Sequence, residues 1–144
     1  MDACPFCTRD TLALRLIAEN ETAFAIPTNI PITSGHTLVC PKRHVRYYEE
    51  LTAHEQRDIE SLRVSIKHAL VKSFGAEGFN WAWNEERVGG QSVPHFHLHI
   101  VPRREGDTGV HGYEPRKFIY RPGARDVSPD EELRRVAREM RDAL

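Results

Sequence analysis

The stretch "SVPHFHLHIVPRREGD", Ser92 to Asp107, sets His95, His97 and His99 at alternate positions among Phe96, Leu98 and Ile100. Side chains alternate faces along a strand, so the three imidazoles point one way and the apolar residues the other. A merely solvated sheet face more naturally carries Thr, Lys or Glu, so three histidines in step point to chemistry. Neutral imidazole can ligate zinc, copper or iron, and with its tautomer fixed it can act as a nucleophile. Two sites use such a strand: a catalytic metal held by all three rings, or one nucleophilic ring supported by the others. The flank favours the second. Gly89, Gly90, Gln91 and Ser92 bring backbone N–H groups, an amide and a hydroxyl, which suit phosphate oxygens.

Cys4 and Cys7 make a second claim on the histidines. A Cys-x-x-Cys pair can hold zinc if two more nitrogen or sulfur ligands close the tetrahedron. His44 in "CPKRH" is one candidate, and one of the three strand histidines is another. The metal would then staple the N-terminal segment to the sheet and leave two imidazoles for other work; structural zinc contributes on the order of 10 kcal/mol to folding. The bland alternative is a pair of reduced surface thiols. Cys40, within an apolar run, reads as a buried core thiol.

The elements that must position these groups follow from pattern. Leu14 to Ala18 and Ala23 to Ile26 read as strands turned at Asn20-Glu21, and His36 to Cys40 as a short strand stopped by Pro41. Gly35 supplies a sharp turn before it. Thr52 with Glu55 forms a capping box, followed by Ile59, Leu62, Ile66, Leu70 and Phe74 at helical spacing, with Gly75 as a stop. His54 and His68 fall off that stripe and read as solvated. "GFNWAWNEE" alternates Phe79, Trp81 and Trp83 against Asn80, Ala82 and Asn84, a strand whose aromatics read as core, and "RVGGQSV" turns it into the histidine strand as an antiparallel partner. A last helix is expected after Ser128 as cap, with Glu131 closing its box and Leu133, Val136, Ala137, Met140 and Leu144 on one face. Strands around one long helix, with a tail helix, make an α+β fold with an antiparallel sheet.

The chain's 144 residues fit a single domain, and 20 Lys and Arg against 21 Asp and Glu leave a net charge of -1. That balance gives no strong nucleic-acid or anionic-membrane signal. No apolar run approaches a membrane span, "MDACPFCTRD" lacks a signal-peptide pattern, and three cysteines do not form a disulfide framework. A cytoplasmic location is expected.

"HFHLHIV" resembles the His-x-His-x-His-x-x signature of the histidine triad (HIT) family. "SGHTLVCPKRH" is similar to that family's strand and Pro-Lys-x-His turn, "NEERVGGQSVPHFHLHIVPR" to the loop and catalytic strand of its nucleotide hydrolases, and "FAIPTNIP" to its nucleotide-binding loop. The resemblance implies a HIT-like fold with a five-stranded antiparallel sheet, one long helix and a C-terminal helix. It places one HIT domain over residues 1–144, with its core about 4–107 and a C-terminal loop and helix at 108–144. It also implies a homodimer and release of a nucleoside monophosphate, expected to be AMP, from dinucleoside polyphosphates or nucleoside phosphoramidates.

By that resemblance His97 is the nucleophile, forming a nucleotidyl-histidine that water resolves. His99 and Gln91 contact the phosphate, Ser92 donates near the phosphate or leaving group, His36 buttresses the triad and Asn84 lines the site. Members with an N-terminal Cys-x-x-Cys imply structural zinc on Cys4, Cys7, His44 and His95, with no organic cofactor. Thr28, beside Asn29, stands where an Asp or Asn commonly holds the ribose. Ile26 and Pro27 with Phe6 or Leu16 are candidates for an apolar clamp on the base, with core packing as the alternative role for each. Past the triad, Arg103, Arg104, Arg116, Lys117, Arg121 and Arg125 are candidates for the leaving group or further phosphates, Arg103 first. A nucleotidyltransferase, a non-enzymatic nucleotide- or zinc-binding module and a three-histidine metalloenzyme are the alternatives.

Overall fold

A computed structural model describes residues 4–107 and 127–144 of the chain. Five strands, β1 (Ala18–Glu19), β2 (Ala23–Pro27), β3 (Thr37–Pro41), β4 (Gly78–Ala82) and β5 (Leu98–Arg103), form one sheet in the order β1-β2-β3-β5-β4. Every neighbouring pair is antiparallel. A short turn joins β1 to β2, and the loop 28–36 joins β2 to β3. A long helix, α2 (Ala53–Phe74), then carries the chain past the sheet, so β5 returns from β4 into the gap beside β3. The histidine strand is therefore flanked on both sides.

α2 starts on the expected capping box: Thr52 Oγ1 accepts from the Glu55 N–H at 3.1 Å, and the Thr52 N–H donates to Glu55 Oε1 at 2.9 Å. It ends on Gly75 in the left-handed conformation. Its buried residues Ile59, Leu62, Ile66 and Leu70 pack on Ala23, Ala25, Val39, Leu98 and Ile100 of the sheet, with Val136, Ala137 and Met140 of the C-terminal helix α3 (Asp130–Ala143). Each large side chain so buried contributes about 1.5–3 kcal/mol. The opposite sheet face presents Phe24, Ile26, Leu38 and Cys40, covered by Phe6 and Leu12 of the N-terminal segment. Leu38 pairs with both Ile26 and His99, so the histidines lie on this second face.

Several expectations change. Leu14 to Ala18 is not a strand: a helical turn α1 (Arg9–Leu12) and a 3-10 turn (Ala13–Arg15) precede a β1 that begins only at Ala18. Leu12, Leu16 and Ile17 point inward while Leu14 is 64% exposed, which is helical rather than alternating spacing. Trp81 and Trp83 are not core. They stand 37% and 43% exposed because β4 is the sheet edge and α2 covers only part of its face. Regular pairing of the histidine strand with β3 starts at Leu98, leaving His95 and His97 in the approach to it. Ser128 does not cap α3; Pro129 holds the N-cap position, the Ser128 N–H donates to the Asn29 carbonyl at 2.7 Å, and Leu144 is exposed. His111, Arg116, Lys117, Arg121 and Arg125 lie outside the described residues.

Candidate active site and metal centre

The positive-φ turn at Gly35 (φ +95°) delivers His36 into the sheet, and a Cβ there would meet Leu70 Cδ2 at 2.8 Å. His36 is buried, and its Nδ1 accepts the Ile32 N–H at 3.0 Å. Its proton therefore sits on Nε2, which lies 3.0 Å from His99 Nδ1. His99 accepts there and carries its own proton on Nε2. One backbone-anchored ring thus fixes the tautomer of the third triad histidine.

His97 is fixed separately. Its Nδ1 lies 2.8 Å from the His95 carbonyl oxygen, so Nδ1–H donates and Nε2 keeps the lone pair. Burial lowers its pKa and favours the neutral ring, although the bond to His95 opposes this. Neutral, Nε2-basic imidazole is the form a nucleophile needs. His97, His99 and Ser92 line one cleft of about 100 Å³ with Phe6, Thr28 and Asn29. Phe6 stands edge-on to His97, with ring centroids 5.1 Å apart. Ile26 lies fully buried beneath this wall.

His95 turns away from the cleft. Its Nε2–H donates to the Pro41 carbonyl at 2.8 Å, leaving Nδ1 to face Cys4 Sγ and Cys7 Sγ at 3.5 Å each and His44 Nδ1 at 3.2 Å. Burial pushes its pKa down to about 4, so the ring is neutral and a competent ligand. The four ligand atoms of Cys4, Cys7, His44 and His95 lie within 4.8 Å of one another. Two thiols and two imidazoles so converged fit a tetrahedral zinc set.

The remaining sequence-derived residues divide. Gln91 is buried beside the loop: its Oε1 accepts from Arg46 Nε at 3.4 Å and the Glu86 N–H at 3.3 Å, while its Nε2 donates to the Arg46 carbonyl at 3.3 Å. Asn84 closes the same loop through the Gly90 carbonyl at 3.4 Å. Arg103 is not brought to the cleft. It is held by Asp107 at 2.8 and 3.0 Å and by Asn80 at 3.4 Å, and lines a separate cavity near the end of α2. Sequence reasoning missed Arg46, Tyr47 and Glu86, which grip one another around Gln91, and Arg15, which lines the cleft. Only a backbone angle marks Glu86: it is the sole non-glycine with positive φ among the described residues.

Residues 12–106 match the HIT domain family. The chain belongs to the HIT family. It is 36% identical over 117 residues to a HIT-like protein of Mycoplasma genitalium, spanning 80% of this chain and 82% of that one. It is 32% identical over 123 residues to a bis(5'-adenosyl)-triphosphatase of Dictyostelium discoideum, spanning 84% and 79%. A zinc-bound histidine triad family protein of Mycobacterium smegmatis shares the fold with a TM-score of 0.71 at 29% identity, over 98% of this chain and 92% of that one. Among the described residues no helix of this HIT protein is long and apolar enough to cross a membrane.

Proposed function

We propose that this HIT protein hydrolyses dinucleoside polyphosphates or nucleoside phosphoramidates and releases a nucleoside monophosphate, AMP from the adenosine substrates. His97 Nε2 attacks the α-phosphorus, and the bond to the leaving phosphate or amine breaks as the P–N bond forms. Water then cleaves the P–N bond and restores the neutral ring. The observation that carries this reading is the His97 Nδ1–H donated to the His95 carbonyl at 2.8 Å, which leaves the cleft-lining ring its nucleophilic nitrogen. His99 Nε2–H serves as a donor to a non-bridging phosphate oxygen, where one preorganised donor is worth about 10²–10³ in rate. Ser92, exposed at the cleft, serves the leaving group, and buried Gln91 shapes the loop that carries it.

Zinc on Cys4, Cys7, His44 and His95 is structural in this scheme. It supplies a cross-link between the N-terminal segment and the sheet, and no reaction step passes through it. The thiols stay reduced in the cytoplasm, where we place the activity. The working unit is a homodimer joined through β4. That edge strand carries Trp81, with Trp83 just past its end, beside an apolar groove that also includes Tyr48, Leu51, Ile59 and Phe96, and an isologous pairing of two β4 edges covers both.

The test is product analysis after incubation with diadenosine tetraphosphate and adenosine phosphoramidate. Wild type releases AMP from at least one, and His97→Ala loses nearly all turnover. Equal rates in the two proteins would remove His97 from the chemistry and with it the hydrolase reading.

A further inference from the structure

Arg15 is a charged residue of the cleft that the reaction above does not use. Its side chain is half-buried in the cleft wall, and burial lowers its pKa, so the cation has given up part of its water. Yet its hydrogen bonding is thin: Nη1 donates to the Pro27 carbonyl at 3.4 Å, and no carboxylate among the described residues forms an ion pair with it. Asp130, at the start of α3, acts on it only through space. A desolvated cation without a counter-ion is costly, and such a group pays its way when a ligand brings the anion.

Its position says which part of a ligand that would be. Arg15 lines the same cleft as His97 and His99, but approaches from the far side of β2 through Pro27, together with Thr28 and Asn29. β2 and β5 are separated by β3, so about 10 Å of sheet lies between the guanidinium's anchor and the histidine strand. A nucleotide with its 5'-phosphorus at His97 lays its ribose and base across that span. The groups waiting there are mostly donors. Thr28 Oγ1 already accepts the Ile30 N–H at 3.3 Å, so its hydroxyl is left to donate, Asn29 offers an amide, and the described cleft lining contains no carboxylate to accept from a ribose diol.

We propose that this end of the cleft binds a nucleotide whose ribose carries a second phosphate, on its 2'- or 3'-oxygen, with Arg15 as the counter-ion and Thr28 as an added donor. The inference rests on the nucleotide reading given above and adds a specificity to it. A charge-assisted contact of this kind is worth about tenfold or more in affinity.

Calorimetric titration of the zinc-loaded protein with AMP, GMP, adenosine 2',5'-bisphosphate and adenosine 3',5'-bisphosphate tests it. Wild type should bind one bisphosphate about tenfold tighter than AMP. In Arg15→Gln, shown to be folded by circular dichroism, that ratio should collapse to about one, and Arg15→Lys should restore part of it. Bisphosphates bound no tighter than AMP overturn the inference while leaving the nucleotide site intact. A preference that survives in Arg15→Gln removes Arg15 as its cause and overturns it too. So does an Arg15-dependent preference for GMP over AMP, which would make the guanidinium a reader of the base edge. Failure of every nucleotide to bind refutes the nucleotide reading and this one with it.

Discussion

Phe6 packs edge-on against His97, with ring centroids 5.1 Å apart and planes at 67°, and with Pro5 it is enclosed between Cys4 and Cys7. The same ring stands 5.8 Å from His95 at 89°. One short stretch therefore carries both thiols of the Cys/His cluster and one wall of the cleft, so the candidate metal set and the His97 ring are coupled through packing. Stripping zinc, or replacing Cys7 by Ser, should abolish zinc content by elemental analysis and lower the melting temperature. KM should rise about tenfold while kcat changes less, the size of one lost aromatic contact. Phe6→Ala should reproduce the KM change with zinc retained. A metal-free protein with an unaltered KM would break the link.

His36 does its work through His99. The run from the Ile32 N–H to His36 Nδ1, and from His36 Nε2 to His99 Nδ1, leaves His99 a donor on Nε2. His99→Ala should lower kcat/KM about 10²–10³-fold. His36→Ala should cost about 10-fold to 100-fold, as when an imidazole loses the partner that orients it. His36→Gln, which keeps an N–H to give, should recover part of the loss. Equal kcat/KM in His36→Ala and wild type would show that His99 holds its tautomer without help.

The Cys/His cluster and the triad were legible because their signal is chemical identity at fixed spacing, as with Cys4 and Cys7 or His95, His97 and His99. α2 was legible for a similar reason: its cap, stripe and stop agree. The misses have a different origin. Trp81 and Trp83 alternate as core residues do, but burial depends on where a strand lies in the sheet, and β4 lies at its edge. Arg103 ends the histidine strand, yet Asp107 four residues on captures it. Glu86 matters through a backbone conformation that no composition or period announces.

Glu86 has φ +63° and ψ 160°, a region that costs a side chain about 1–3 kcal/mol. Its carboxylate receives Tyr47 Oη–H and Arg46 Nη2 (2.8 Å), and Arg46 in turn contacts Gln91. Those pairs are exposed and screened by solvent, so they offset little of the strain. Glu86→Gly should therefore raise the urea midpoint slightly. The same change should lower kcat/KM about tenfold, because Arg46 no longer holds Gln91 and the Ser92 loop. A variant both less stable and fully active would refute this account.

The exposed Trp81 and Trp83 test the dimer. Trp83 stacks on Tyr48 with centroids 5.0 Å apart, and Arg63 lies 4.9 Å over Trp81, so both rings are held at the edge rather than loose on the surface. Trp81→Glu with Trp83→Glu places two like charges in a self-complementary interface, where each appears twice. Light scattering after gel filtration should give a dimer for wild type and a monomer of unchanged far-ultraviolet dichroism for the double variant. A monomeric wild type at high concentration would rule out β4 pairing.

Glu55 predicts a pH dependence. Its carboxylate takes two bonds from Arg43, at 2.8 and 3.1 Å, as well as the Thr52 N–H, and the Arg43 bond holds its pKa below the ordinary value of 4.5. Burial opposes that shift without reversing it. A carboxyl whose pKa is lower folded than unfolded stabilises the fold above its unfolded value, and that contribution drains away as pH falls through the folded one. Arg43 is half exposed, so solvent screens its share of that contribution, and the Thr52 cap adds to it. Glu55→Gln should lower the urea midpoint at pH 7, and the gap to wild type should narrow from about pH 5 downward and close below the folded pKa. A gap that is the same at pH 7 and at pH 3 would mean that the loss is one of shape, not of charge.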